Sequence, residues 1–163
     1  MNSPLLPNYN RADIAFDRGE GPYLFDSKGD RYLDFGSGIA VNALGHGRSD
    51  LAEIAAAQMK KLVHTSNYYT SQPALELAKK MTAGTAFAAV HFGNSGTEAT
   101  EAAIKYARLY AMKTKGKGHH KLLCFANAFH GRTLGALSVT PKEKYQAVFQ
   151  PLLEGVTVLP YGD

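Results

Sequence analysis

Two polar turns carry the groups able to hold an anionic, planar ligand. The first is Gly93-Asn-Ser-Gly-Thr97. Its glycines permit backbone angles that other residues resist. Asn94, Ser95 and Thr97 are short hydrogen-bonding residues of the kind that begin helices. The first N–H groups of a helix have no partner inside it and sit at the positive end of its dipole. A strand, a small-residue turn and a helix start therefore make a place for an anion, most often a phosphate. The second turn is Asn127-Ala-Phe-His-Gly-Arg132. It offers a flat ring (Phe129), an imidazole (His130) and a guanidinium (Arg132), which can stack on a planar ligand and grip a carboxylate in bidentate fashion. Taken singly, each feature has a plainer explanation: an ordinary capped connection, a packed core ring, a surface ion pair. Gly-Lys-Ser/Thr is absent from the first turn, and so is the Gly-x-Gly-x-x-Gly spacing, which excludes a Walker loop and a dinucleotide fingerprint.

Elements must deliver these turns to one place. The apolar run Ala88–Phe92 is expected as a buried strand before the first turn. A helix is expected after it, with Ala99, Ala102, Ala103, Tyr106, Ala107, Tyr110 and Ala111 on one face, close against a sheet. Leu122–Ala126 is a second strand, feeding the second turn and a further helix. Pro141–Phe149 suggests another short helix, and Gly155–Pro160 a third strand. Earlier in the chain, Tyr23–Asp26 and Arg31–Phe35 flank the turn formers Ser27-Lys-Gly-Asp30, a β-hairpin pattern, while residues 1 to about 20 look irregular. A helix is expected from about Leu51 to Val63, capped by Ser49 or Asp50, and another from Ala74 to Met81 with Pro73 in its first turn. Strands alternating with helices indicate an α/β layer with a mostly parallel sheet. In such sheets ligands sit at the carboxyl ends of strands, so neighbouring strands would turn both loops toward one crevice.

The 163 residues, 45% hydrophobic and 20% charged, have ordinary globular composition. The lone Cys124 excludes an internal disulfide, fits a reducing compartment, and sits in a run that suggests core packing. No apolar run approaches membrane-spanning length, and the first residues do not form a secretory signal, so the cytoplasm is the default compartment. The net charge of +4 is concentrated in Lys113–Lys121, a run without interleaved aromatics or a nucleic-acid motif. A solvated loop is the expectation there. No nucleic-acid, membrane or metal partner is expected.

The two turns together change the weight of each. Phe92-Gly-Asn-Ser-Gly-Thr-Glu-Ala99, continuing to Arg108, resembles the cofactor-phosphate segment of class III pyridoxal-phosphate aminotransferases. Phe129-His-Gly-Arg-Thr133 is similar to the next block of that family, and Tyr32–Phe35, Gly38–Asn42, Leu44-Gly-His46 and His64–Tyr68 agree in order. Within the family the likeness is to the acetylornithine branch. The resemblance implies fold type I, aspartate aminotransferase-like and incomplete, with residues 1–50 in the small domain and 51–163 opening the large cofactor domain. It implies pyridoxal 5'-phosphate bound by Ser95, Gly96 and Thr97 through backbone N–H groups and hydroxyls, with Phe129 stacked on its ring. Arg132 would hold the α-carboxylate of the amino donor and of 2-oxoglutarate, and Asn42 would line the substrate pocket. Glu98 and Glu101 suit the helix dipole and need no further role.

One departure is local: Arg48-Ser49 stand where the family usually has His-Pro. A larger one is that the family's Schiff-base lysine and pyridine-nitrogen aspartate fall after the position where this sequence stops. The implied reaction moves the δ-amino group of N-acetylornithine to 2-oxoglutarate in arginine biosynthesis, in a homodimeric full-length protein. These 163 residues are expected to be its N-terminal part and inactive alone. Ornithine, succinylornithine and 4-aminobutyrate remain as alternative donors. A non-catalytic interaction module and a phosphate- or nucleotide-binding domain remain as alternative readings.

Overall fold

The computed structural model describes residues 4–162. They fall into two units, one ending at Ser71 and the other beginning at Gln72. The sequence-based division lay after residue 50; here helix α2 (Ser49–Lys61) goes with the first unit.

The first unit contains a three-stranded antiparallel sheet in the order β1 (Phe16–Glu20), β2 (Tyr23–Asp26), β3 (Arg31–Leu33). The expected hairpin is β2–β3, with Tyr23 opposite Leu33 and Leu24 opposite Tyr32. Gly29 in its turn has φ +89°, and Asp26 Oδ1 accepts from the N–H of Lys28 and of Asp30. Strand β1 corrects the expectation of an irregular start. Phe16-Asp-Arg-Gly-Glu20 lacks apolar alternation, so its pattern did not announce a strand. It forms because its main chain pairs with β2 and because the Arg18 guanidinium lies 3.5 Å over the Phe25 ring, across the register.

After β3 the chain makes a single turn, α1 (Ser37–Ala40), of unusual hand. Ser37, Gly38, Ile39 and Ala40 have φ of +44°, +59°, +62° and +65°. Three of the four carry a side chain, and left-handed backbone costs such residues about 1–2 kcal/mol each. Asp34 holds the entry by accepting the Ser37 N–H at 2.7 Å, and Asn42 N–H closes it on Ser37 O at 3.0 Å. Helix α2 starts after Arg48 without a side-chain cap. Asp50 instead takes a two-pronged bond from Arg48 at 2.8 and 2.6 Å, which corrects the expected Ser49 or Asp50 cap.

The second unit contains α3 (Gln72–Thr82), the long α4 (Gly96–Lys115), and a parallel pair, β4 (Leu122–Phe125) and β5 (Val156–Leu159). Short helices α5 (Leu134–Ser138) and α6 (Glu143–Gln146), the latter running into a 3-10 turn, lie between the two strands. Ile104, Cys124 and Val139 form the buried cluster, flanked by Leu122, Leu153 and Val156.

Two expectations are corrected here. Residues 88–92 are not a strand, and Phe92 is 45% exposed. An extended run becomes a strand only by pairing, and among the described residues β4 and β5 pair with each other alone. The covered stripe of α4 is Thr97, Thr100, Glu101, Ala102, Ile104, Arg108 and Ala111; of the expected alanine-rich face only Ala102 and Ala111 belong to it, while Ala99, Ala103, Tyr106, Ala107 and Tyr110 stand exposed. Both stripes have the helical period. Contact of Ile104 with Cys124 and Val139 decides between them.

Candidate functional site

The site is built on the start of α4. Ser95 is its N-cap, with extended backbone at φ −153°, and its Oγ accepts the Glu98 N–H at 3.3 Å. Glu98 answers: its Oε2 accepts from the Ser95 hydroxyl at 2.9 Å and from the Asn94 N–H at 3.0 Å. This is a capping-box variant, with the carboxylate reaching one residue further back than usual. These bonds, the one from Ser95 first, hold the Glu98 carboxyl below its ordinary 4.5. Ala99 N–H bonds Ser95 O. Among the described residues the N–H groups of Gly96 and Thr97 have no acceptor, and a side chain at Gly96 would meet nothing within 4 Å. Two donors at the positive end of a 20-residue helix are thus left without a partner among the described residues.

The second loop is bonded onto the same turn. Thr100 Oγ1 shares its one proton between His130 O at 2.9 Å and Gly96 O at 3.1 Å, and Thr97 Oγ1 lies 3.0 Å from Thr133 Oγ1. Thr133 donates to Glu101 Oε1 at 2.5 Å, and Ala136 N–H reaches the same oxygen at 3.2 Å. Since Thr133 has spent its one proton on Glu101, Thr97 must be the donor to Thr133. Ser95 donates to Glu98. Both hydroxyl protons are therefore engaged within the protein, and the groups left for an anion are the two backbone N–H groups. Gly131 makes the close approach possible: its φ is +134°, and a Cβ there would overlap Thr97 Oγ1 and lie 2.7 Å from Thr97 Cβ. Behind the loop, His130 N–H bonds the fully buried Thr140 at 2.8 Å.

Phe129 is 59% exposed, so it is not a core ring. Arg132 has no carboxylate partner among the described residues. Its guanidinium rests 3.9 Å over the Tyr145 ring and 5.6 Å from the Phe129 centroid. The loop thus presents an open ring and an unpaired cation, held from behind by an aromatic face.

Asn42 lies in the first unit, in a cleft of about 330 Å³ lined also by Asp34, Ser37 and His46. Asn42 Nδ2 is 2.9 Å from His46 Nδ1, and His46 Nε2 is 2.9 Å from Asp34 Oδ2. Nε2–H donating to Asp34 and Nδ1 accepting from Asn42 is the hydrogen-bond arrangement that meets both contacts. The His46 bond, ahead of the Ser37 N–H, holds the Asp34 carboxyl below its usual value. The structure therefore brings Ser95, Gly96, Thr97, Phe129 and Arg132 together within the second unit.

Thr133, Thr100 and Tyr145 were not singled out from the sequence, and Glu101 was read there only as an acid suited to the helix dipole. Glu101 and Thr133 lie inside the two motifs, yet nothing in either motif announces that they touch. Tyr145 had no signal at all.

The family profile described as aminotransferase class-III matches residues 6–163. Among curated relatives, the probable mitochondrial acetylornithine aminotransferase of Dictyostelium discoideum is 48% identical over 98% of this chain and 36% of its own. The acetylornithine aminotransferase of Neisseria meningitidis serogroup B is 45% identical over 100% of this chain and 41% of its own. Among solved structures, the ornithine aminotransferase of Toxoplasma gondii ME49 superposes with a TM-score of 0.88 at 25% identity, covering 98% of this chain and 38% of that one. The omega transaminase of Pseudomonas jessenii in complex with PMP gives 0.84 at 28% identity, covering 97% and 37%. The chain spans about two fifths of the length of the relatives it matches.

Proposed function

The chain belongs to the class III aminotransferases and has the fold of the type I transaminases, and on that premise we propose that it supplies the phosphate and carboxylate contacts of a pyridoxal-phosphate-dependent acetylornithine aminotransferase. The Gly96 and Thr97 N–H groups bind the cofactor phosphate, with Ser95 holding the turn in shape. The exposed Phe129 ring covers the pyridine. Arg132 takes the α-carboxylate of N-acetylornithine and of 2-oxoglutarate in turn, and Asn42 belongs to the substrate pocket. When bound, the pyridine ring supplies an electron sink that no protein side chain provides. One observation carries this reading: two unpaired helix-start donors are hydrogen-bonded, through Thr97 and Thr133, to the loop bearing an unpaired arginine and an open ring.

Pyridoxine 5'-phosphate lacks the aldehyde that would attach to surface lysines, so it tests the cup directly. Expected are amide shifts at Gly96 and Thr97 with the phosphate ester, none with pyridoxine, and weaker competition by ATP. Equal binding of pyridoxine and its phosphate refutes the reading. Arg132→Ala is expected to abolish 2-oxoglutarate binding and leave phosphate binding in place.

The acetylornithine branch is favoured over ornithine, succinylornithine and 4-aminobutyrate by the identities of 43–48% to relatives so named. By itself the chain is proposed to bind without turnover, because the family's lysine and aspartate have no counterpart at matching positions here; transamination by the purified 163-residue chain would refute this. The proposed compartment is the cytoplasm; among the described residues no helix is long and apolar enough to cross a membrane.

Exposed area supports an interaction role for this piece, covered by further protein in a longer parent that is proposed to be a homodimer. The surface is 13861 Å². Two separate globules sharing this mass would expose only about 9,500 Å². Phe35, Ile39 and Val41 are 91%, 94% and 85% exposed. Light scattering with and without a full-length subunit distinguishes association from a free monomer.

A further inference from the structure

Resting on that reading, we propose that Glu101 is a positioning residue, whose carboxylate latches the Arg132 loop to the phosphate-binding helix and so sets the spacing between the two ends of the ligand. Four bonds join loop and helix: Thr100 to His130 O, Thr97 to Thr133, Thr133 to Glu101, and Ala136 N–H to Glu101. Only the two on Glu101 are charge-assisted, and both converge on one oxygen.

The latch touches both half-sites but fixes the root of Arg132, leaving the backbone donors of the phosphate side in place. Glu101 draws the Thr133 proton, and that obliges Thr97 to turn its own proton to Thr133. Thr97 is thereby left with its backbone N–H as the outward donor. On the other side, Arg132 stands between two anchored neighbours. Gly131 is packed against Thr97, and Thr133 is tied to Glu101. A long, mobile guanidinium thus springs from a fixed root, with Tyr145 beneath it at 3.9 Å. Side-chain length matters too. Glu101 reaches across to the start of α5, where a side chain added at Gly135 would lie 2.5 Å from Glu101 Oε2. Aspartate is one methylene short of that reach, whereas glutamine keeps an oxygen that can accept both bonds.

A role confined to holding α5 in place would weaken every ligand together. Positioning predicts a split. The test uses the isotope-labelled 163-residue chain, titrated separately with inorganic phosphate, read at the Gly96 and Thr97 amides, and with glutarate, read at the Arg132 side-chain N–H. For Glu101→Ala, phosphate affinity should stay within about twofold, while glutarate affinity falls about tenfold, the scale of one lost charge-assisted bond. Glu101→Gln should recover most of the glutarate binding, Glu101→Asp should not, and Thr133→Val should fall between. Parallel weakening of both probes, no change in either, or a Glu101→Gln chain as poor as Glu101→Ala overturns the proposal. If Glu101→Ala fails to fold, the split is read from Glu101→Gln against Thr133→Val. A wild-type chain whose Gly96 and Thr97 amides ignore phosphate sinks the functional reading and this inference with it. A wild-type response without the split sinks this inference alone.

Discussion

Gly131→Ala probes the contact on which the site depends. The loop can lie on α4 only because residue 131 has no side chain: an added Cβ would overlap Thr97 Oγ1, lie 2.7 Å from Thr97 Cβ and 3.0 Å from Ala136 Cβ. Its φ of +134° adds a backbone penalty. Strain of this kind costs about 1–3 kcal/mol, and forcing a methyl into a packed contact costs about 1–3 kcal/mol more. The sum, about 2–6 kcal/mol, corresponds to a drop of about 1–3 M in urea midpoint at a slope near 2 kcal/mol/M. Gly84→Ala is the control in the same unit: φ there is +70°, but nothing lies within 4 Å of the added atom. It should lose only the backbone part. The assay is urea titration followed by circular dichroism, with amide exchange across Leu134–Ser138 as the local readout. If Gly131→Ala and Gly84→Ala shift the midpoint equally, the close packing of loop on helix is refuted.

Three further outcomes are expected. Glu98 is held below its ordinary 4.5 by hydrogen bonds, chiefly from Ser95, so its contribution is present above that pH and is lost as pH falls through the lowered folded value; protection of the Glu98 amide, measured against its pH-dependent intrinsic exchange rate, should fall on acidification below about pH 4.5, and protection unchanged down to about pH 2 contradicts the cap. Asp34→Asn should weaken the hold on His46 and speed exchange of the Gly21 amide, which bonds His46 O at 3.0 Å; an unchanged Gly21 rate contradicts that coupling. Cys124 is 4% exposed and its thiol is pushed up by burial, so a disulfide reagent should label it slowly in the native chain and fast in denaturant; rapid stoichiometric labelling of the native chain contradicts its place in the core.

Local chemistry made much of the chain legible. Ser27-Lys-Gly-Asp30 could only turn, and the structure closes the hairpin there. Asn94-Ser-Gly-Thr97 marked a helix start, and α4 begins at Gly96 with Ser95 as its cap. Motif order along the chain placed it in its family, which the profile over residues 6–163 bears out. Each of these rests on residues within a few positions of one another, where side-chain type alone limits the backbone.

Tertiary contact decided the rest. Whether α4 buries its alanine face or the Ile104 stripe depends on what packs against it, and both stripes have the same period. Strand β1 exists because β2 lies alongside it, while 88–92 stays unpaired for want of such a neighbour. The hydroxyls of Ser95 and Thr97 looked available for an anion, yet their protons go to Glu98 and Thr133. Glu101 looked like one more acid at a helix start until α5 was brought to it across 35 residues. A sequence states which donors and acceptors exist; only the folded chain, by bringing distant ones within reach, settles which are already spent and which remain free to bind.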